Sequence, residues 1–195
     1  TLPTALTLPT ADAANDRVTR SFFDNDGLLI GTLDEEGYIT RIKYDSAGRQ
    51  TETVRYANVT SSALWASGTL VDLLNSVTPN TAADIRNYWI YDGRGRVAAV
   101  IDGEGNVTRY HYTARGDLDQ EIRGQKVTAN TSYTLATLPA ATGTLETTRY
   151  YRNAAGQVTS QVKYLSGGHT ETTTYSYDTR WRLLTQTVAE TVSTE

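Results

Sequence analysis

Residues 87–97 read Asn87-Tyr88-Trp89-Ile90-Tyr91-Asp92-Gly93-Arg94-Gly95-Arg96-Val97 (NYWIYDGRGRV), and close versions of this phrase recur along the chain. They are IKYDSAGRQ at 42–50, YHYTARGDL at 110–118, YYRNAAGQV at 150–158 and YSYDTRWRL at 175–183. Tyr88, Trp89, Ile90 and Tyr91 suit a pleated, half-buried surface, so they predict a strand. Asp92-Gly93-Arg94-Gly95 then supplies turn chemistry. An aspartate at the first turn position accepts a hydrogen bond from the backbone two residues on, and a glycine near the end takes a positive φ without steric cost. Residues 96–101 form the return strand, and Asp102-Gly103-Glu104-Gly105 makes a second turn into a strand over 106–112. The same grammar runs through Phe22-Phe23-Asp24-Asn25-Asp26-Gly27 and its second turn, Asp34-Glu35-Glu36-Gly37.

Aligned on the glycine, the copies fall at Gly27, Gly48, Gly95, Gly116 and Gly156, with Trp181 in the glycine place of the last one. Gly27 and Gly48 are 21 residues apart, as are Gly95 and Gly116, while Gly27 to Gly95, Gly37 to Gly105 and Gly48 to Gly116 each span 68. Two nested periods of this kind mark a repeat architecture. Tyr110 and Tyr112 share one strand face, as do Tyr175 and Tyr177. Glu52, Val54 and Tyr56 oppose Thr51, Thr53 and Arg55, which predicts one packed and one wetter sheet face. Pro3, Pro9, Pro79 and Pro139 all fall outside the repeats, where no ladder N–H is needed.

The fold class read from this pattern is all-β: repetitive antiparallel hairpins in a curved or spiralling open sheet, with one short helical insert. The chain is organised as a single repeat segment over 1–195, with repeats at about 17–56, 87–123 and 147–188 and inserts at about 57–86 and 124–146. In the first insert Thr69 is positioned to cap a short helix with Leu70, Leu73 and Leu74 on its apolar side, and Gly68 argues against one continuous helix. The second insert is Thr-, Ala- and Pro-rich without periodicity and reads as a long loop. Residues 1–16 resemble the tail of another insert, because residues 11–17 echo 80–86. That echo, together with a start at Thr1 and no methionine anywhere, suggests a segment of a longer repetitive parent.

Composition supports a folded chain, since 13 Tyr and 3 Trp add burial capacity to a sequence whose net charge is only -4. No cysteine is present, which excludes disulfides, thiolate metal sites and a cysteine nucleophile. Acidic and basic residues are interspersed without a basic stripe, so nucleic acid is not an expected partner. No apolar window is long enough for a membrane span, and no signal-peptide pattern occurs within the segment.

Candidate chemistry is sparse. His111 and His169, the two histidines, have no cysteine or carboxylate at metal-ligand spacing, and no Gly-x-Ser-x-Gly elbow is present. Asp24-Asn25-Asp26-Gly27 opens like a calcium loop but lacks the closing glutamate. Gly93-Arg94-Gly95 and Gly103-Glu104-Gly105 open no predicted helix and read as turns rather than phosphate loops. Tyrosines on a sheet face could form a platform for sugar rings. Their placement at the repeat period instead favours packing between neighbouring strands of the wall.

Tyr44-Asp45-Ser46-Ala47-Gly48-Arg49 and Tyr91-Asp92-Gly93-Arg94-Gly95-Arg96, followed by Asp102-Gly103-Glu104-Gly105-Asn106-Val107-Thr108, resemble the RHS/YD repeat. The remaining copies are degenerate: Phe23-Asp24 replaces Tyr-Asp, Tyr112-Thr113 before Gly116 and Tyr151-Arg152 before Gly156 lose the acid, and Tyr177-Asp178 precedes Trp181 instead of glycine. The resemblance implies a long coiling β-sheet forming the wall of a shell in bacterial polymorphic toxins and insecticidal toxin complexes, with a related barrel in teneurins. It implies a non-enzymatic structural module without cofactor or metal, exported to the medium or cell surface as part of a larger chain. The implied partners are neighbouring repeats of the same protein and an enclosed C-terminal domain. The alternative is an adhesion module that binds a glycan or a cell-surface protein on an exposed aromatic face.

Overall fold

The computed structural model describes residues 17–192. Readings made on 1–16 and 193–195, including Pro3, Pro9 and the echo of an insert, lie outside the described residues. The fold is all-β and open: a 12-stranded antiparallel sheet whose strand order follows the sequence. The strands are β1 (Arg20–Phe23), β2 (Leu29–Leu33), β3 (Ile39–Tyr44), β4 (Gln50–Arg55), β5 (Ile85–Tyr91) and β6 (Val97–Ile101), then β7 (Asn106–Tyr112), β8 (Leu118–Lys126), β9 (Glu146–Arg152), β10 (Val158–Tyr164), β11 (His169–Tyr177) and β12 (Leu183–Val192). One α-helix, α1 (Leu70–Ser76), lies between β4 and β5. Two compact units divide the chain, Thr1–Ile42 with Arg55–Asp84 and Lys43–Val54 with Ile85–Glu195.

One turn builds almost every hairpin. At Asp45 the carboxylate Oδ1 accepts from the N–H groups of Ala47 (2.9 Å) and Arg49 (3.0 Å), while Gly48 N–H donates to the Asp45 carbonyl (3.0 Å). Asp24, Asp34, Asp92, Asp102 and Asp178 hold two backbone N–H groups in the same way, and Asn153 does so with its amide oxygen. The fourth residue of each turn is left-handed: Gly27, Gly37, Gly48, Gly95, Gly105, Gly116 and Gly156 have positive φ, and Trp181 adopts φ 67° in the glycine place. A type I turn closed by a left-handed residue leaves one extra residue on the strand, a bulge. Beside five of these turns the ladder skips a further residue at a constant place: Phe23 pairs with Leu29, Tyr91 with Val97, Tyr112 with Leu118, Arg152 with Val158 and Tyr177 with Leu183, whereas beside the Asp34 and Asp102 turns it runs unshifted to Leu33–Ile39 and Ile101–Val107.

In the first unit the insert supplies the core that β1 and β2 cannot make alone. Thr69 caps α1 as expected, and Asp72 returns the bond to the Thr69 N–H, completing a capping box. Leu73 is fully buried with Leu33 and Ile39. Gly68 lies before the helix, and a short 3-10 turn occupies Ser62–Leu64. The buried Asp84 carboxylate ties the two ends of the insert by accepting from the Ala57 N–H (2.9 Å) and the Asn80 N–H (3.1 Å). Gly37 is where the insert meets the sheet: its carbonyl accepts from both the N–H (3.0 Å) and the Oγ1 (2.8 Å) of Thr60. The Trp65 indole, whose Nε1 donates to Thr60 Oγ1, covers Gly37 so closely that a Cβ there would lie 2.1 Å from the ring.

In the second unit Tyr88, Ile90, Ala99, Ile101 and Val107 form one buried face of β5–β7, and Leu138 from the second insert closes it. The stretch 127–145 is irregular, as its composition predicts, but it is not a free loop. Tyr133, the one tyrosine set apart from the repeats, packs with Val127 against this core. Gln125 donates to the carbonyls of Pro139 (2.9 Å) and Ala140 (3.1 Å), and Arg109 donates to both Gln125 Oε1 (2.9 Å) and the Pro139 carbonyl. The expected alternation of packed and wet faces is clear in β4, where Glu52 and Val54 are buried, and in β5 and β6. It fades from β9 onward. Among β9–β12 only Thr173 is buried, because no described insert covers those strands.

The two left-handed glycines Gly27 and Gly37 separate conformational strain from crowding. A Cβ at Gly27 meets nothing within 4 Å. Gly27→Ala is expected to lose about 1 kcal/mol from the left-handed backbone alone, and Gly37→Ala a further ~1–3 kcal/mol from displacing the Trp65 indole. Urea unfolding midpoints measure the difference, and equal losses would contradict the packing of Trp65 on Gly37.

Candidate functional site

The recurring phrase builds an inter-hairpin connector. In the second unit Asp45 and Asp92 use Oδ1 for the backbone and Oδ2 for the arginine four residues on. Arg49 Nε lies 2.8 Å from Asp45 Oδ2, and Arg96 Nε and Nη2 lie 2.8 and 2.6 Å from Asp92 Oδ2. Each guanidinium is thereby held flat and aimed at the next hairpin of the row. Arg49 sits 4.5 Å from the Tyr91 ring centroid and Arg96 4.3 Å from that of Tyr112, within cation–π range. The same guanidinium lies against the next turn's glycine: a Cβ on Gly95 would come 2.7 Å from Arg49 Nη1.

The tyrosine completes the joint. Tyr91 Oη donates to the Gln50 carbonyl, Tyr112 Oη to the Val97 carbonyl and Tyr177 Oη to the Val158 carbonyl, each at 2.8 Å. Each acceptor lies two residues past the turn's left-handed residue, at the strand end where the bulge has broken the ladder. A carbonyl left there without a partner would be costly once covered, and the phenol supplies the partner. Turn tips are linked as well: Arg94 Nη1 donates to the Ala114 carbonyl (3.0 Å) and Arg115 Nη1 to the Ala154 carbonyl (3.3 Å).

Of the residues singled out by the repeat, Tyr91, Asp92, Gly95, Arg96, Tyr112, Gly116, Gly156, Tyr177 and Asp178 lie in this row of turns, with Asp45, Gly48 and Arg49 opening it. Tyr44 ends β3, immediately before the Asp45 turn. Asp102 and Gly105 are at the opposite strand ends. There Asp102 Oδ2 accepts from Asn106 Nδ2 (2.9 Å), and the Gly105 carbonyl receives the Val127 N–H (2.8 Å) where the second insert begins.

Tyr151 is misplaced in the alignment. The Asn153 amide occupies the turn's acid place, so Arg152, paired with Val158, stands where tyrosine stands elsewhere, and Tyr151 is one residue out and 46% exposed. The paired aromatics Tyr150-Tyr151 draw the eye to the wrong register; the spacing of three residues between Asn153 and Gly156 is the signal that locates it. Arg152 fills the tyrosine role differently, its Nη2 donating to the Leu118 carbonyl at 3.1 Å. This suits the copy before it, in which Asp117 takes the arginine place and Thr113 holds the turn with a hydroxyl 3.2 Å from the Asp117 N–H.

Other candidates resolve into turn chemistry. Asp24 Oδ1 accepts from Asp26 N–H (3.0 Å) and Leu28 N–H (2.8 Å), a hairpin turn rather than a calcium loop. His111 and His169 are exposed on β7 and β11, and no group of three His, Asp or Glu side chains is placed to hold a metal ion among the described residues.

The connector carboxylates respond to their donors. The Arg49 side chain and N–H hold Asp45 below the usual carboxylate range, those of Arg96 do the same for Asp92, and the Arg182 N–H leads the same effect at Asp178. A pKa lower in the folded than in the unfolded chain, where it is about 3.9, contributes stability above that value. The contribution disappears as pH falls through the lower folded value. Stability is therefore expected to decline on acidification below about pH 4, and the triple change Asp45→Asn, Asp92→Asn, Asp178→Asn to flatten that decline in urea titrations. Tyr112→Phe, which leaves the Val97 carbonyl without its phenol, is expected to cost about 1 kcal/mol. Tyr151→Phe is expected to stay within ~0.5 kcal/mol of wild type; the opposite order would restore Tyr151 to the motif.

Residues 91–125 match the family model described as RHS Repeat. No curated protein sequence matches the chain. Among solved structures, the crystal structure of TcdB2-TccC3-Cdc42 superposes with a TM-score of 0.56 at 17% identity, covering 87% of this chain and 8% of the other. TcdB2-TccC3 without its hypervariable C-terminal region gives 0.57 at 16% identity, covering 88% and 8%. At this identity the likeness is one of fold, and the chain spans about 8% of the length of those chains. Residues 91–125 thus match the RHS repeat, within a chain whose fold is shared over 87–88% of its length with the TcdB2-TccC3 structures.

Proposed function

We propose that the chain is a structural wall segment, a stretch of a much longer β-sheet that encloses or presents another domain, a toxin, within an exported bacterial protein. The single observation that carries this is the connector. Tyrosine, arginine and turn aspartate are committed to joining one hairpin to the next, in a chain whose residues 91–125 are an RHS repeat. The role so assigned is mechanical and non-enzymatic, the whole of 1–195 being one repeat segment and the motif residues in the row of turns from Asp45 to Asp178 its joints. Its partners are adjoining repeats and the enclosed domain.

A second reading has its own observation. A cleft of about 280 Å³ is lined by Glu121, Arg123, Tyr150, Gln161 and Lys163, with Tyr110 paired to Glu121 and Tyr175 donating to Gln161 at its sides. Flat rings beside both charges suit a glycan. Tyr91 and Tyr112 of the connector are poorer candidates, because a guanidinium already lies over each ring.

In the full parent protein, Arg49→Ala, Arg96→Ala and Tyr112→Ala together are expected to open the wall and raise the rate of protease cleavage of the enclosed domain at least about tenfold, equivalent to some 1.4 kcal/mol of opening free energy. Cleavage at the wild-type rate would overturn the enclosing role. Saturable binding on a glycan array, abolished by Tyr150→Ala, would favour the second reading.

A further inference from the structure

Two seams of the sheet, β4–β5 and β8–β9, are spanned by an insert instead of a tight turn, so the strands on either side can part without opening a turn. The β4–β5 seam is stapled along its length. At the turn row Arg49 covers the Tyr91 ring and Tyr91 Oη holds the Gln50 carbonyl. Farther along, Asn87 Nδ2 donates to Thr53 Oγ1 (3.2 Å) and Arg86 pairs with Glu52 (3.0 Å).

At β8–β9 the corresponding parts are missing. Thr113 and Asp117 stand where the aspartate and arginine stand elsewhere, so no guanidinium is locked and aimed across the seam, and Arg152 in the tyrosine place brings no ring. Arg152 reaches the Leu118 carbonyl at 3.1 Å, yet its Nε is buried without an acceptor. Such a group costs free energy that is recovered once water reaches it, which favours opening. Among the described residues no ion pair crosses from β8 to β9: Arg123 turns back to Glu121 on its own strand, and Lys163 turns away to Glu171 on β11. The ladder is short as well, running from Gln120–Arg149 to Arg123–Glu146, while Tyr150, Tyr151 and Arg152 pair with β10 alone. Packing is open on both faces. The cleft of Glu121, Arg123 and Tyr150 lies on one, and a depression of about 380 Å³ lined by Gln120, Thr147, Arg149 and Tyr164 draws on the alternate residues of the other. The seam is internal, with β9–β12 beyond it.

We infer that the β8–β9 seam is a lateral opening point, the place where the wall parts first while the hairpins on both sides stay closed. This opening point presupposes the wall reading and adds to it a route through the wall.

Amide hydrogen exchange on the chain tests the order of opening. Amides bonded between β8 and β9 are expected to exchange at least about tenfold faster than those between β4 and β5, and faster than those between β10 and β11. Fraying inward from β12 gives the reverse of the second order, and that result overturns the opening point. Asp117→Arg with Arg152→Tyr rebuilds the joint found at Arg96 and Tyr112. It is expected to slow β8–β9 exchange about tenfold, by more than the product of the two single effects; exchange indifferent to the rebuilt joint also overturns the opening point. Glu121→Cys with Thr148→Cys, directly opposite across the seam in a chain without cysteine, leaves the turns untouched. Oxidised, this pair is expected to abolish the fast exchange and, in the full parent protein, to slow protease cleavage of the enclosed domain about tenfold relative to the reduced form. Cleavage indifferent to the cross-link removes the seam as a route. Cleavage at one rate with Arg49, Arg96 and Tyr112 intact or replaced sinks the wall reading itself and leaves the exchange order standing.

Discussion

A single carboxylate holding two backbone N–H groups is the constraint on which the sheet depends. With its left-handed fourth residue it closes most of the tight hairpins, and beside the Asp92 and Asp178 turns the strand carries one extra residue. That displaced residue ends the ladder early and leaves a carbonyl facing the next hairpin. The tyrosine and arginine of the phrase follow from this geometry: one satisfies the stranded carbonyl, the other is locked by the same aspartate and covers the ring. Turn chemistry and lateral cohesion are therefore one device.

Such joints matter because the sheet has little core of its own. A hairpin buries too few apolar groups to stand alone, and the described core is confined to what each insert covers. Leu73 does this in the first unit and Leu138 in the second. Each insert is anchored at a second-turn glycine carbonyl, Gly37 through Thr60 and Gly105 through Val127. The one carboxylate buried on the packed side of β4, Glu52, is balanced by Lys43 and by Arg86 at 3.0 Å. Removing either cation would leave a charge short of a partner rather than free a surface side chain.

The joint tolerates exchange of its parts so long as a donor reaches the stranded carbonyl. Where Asp117 replaces the forward-facing arginine, Arg152 reaches back from the next hairpin to the Leu118 carbonyl. Where Asn153 replaces aspartate, Gln157 replaces arginine and bonds it at 2.8 Å, exchanging an ion pair for an amide pair. Trp181 keeps the left-handed conformation without glycine's freedom. The sequence signal weakens at these copies while the geometry does not.

Period and turn chemistry were legible in the residues alone. The alternation of strand residues, the spacing of Asp, Gly and Arg, and the cap at Thr69 depend on neighbours a few positions away, so local sequence determines them. Even the conformation of Trp181 follows from its place in the period. What the residues did not disclose was who bonds to whom between hairpins: that Tyr91 and Arg49 meet, that Arg152 rather than Tyr151 fills the joint, that Tyr133 and Leu138 return to cover β5–β7. Those contacts join positions tens of residues apart, and their choice depends on bulge register and on which strands find cover. Both are settled only when the sheet assembles, because a one-residue change in register sends every side chain to the other face.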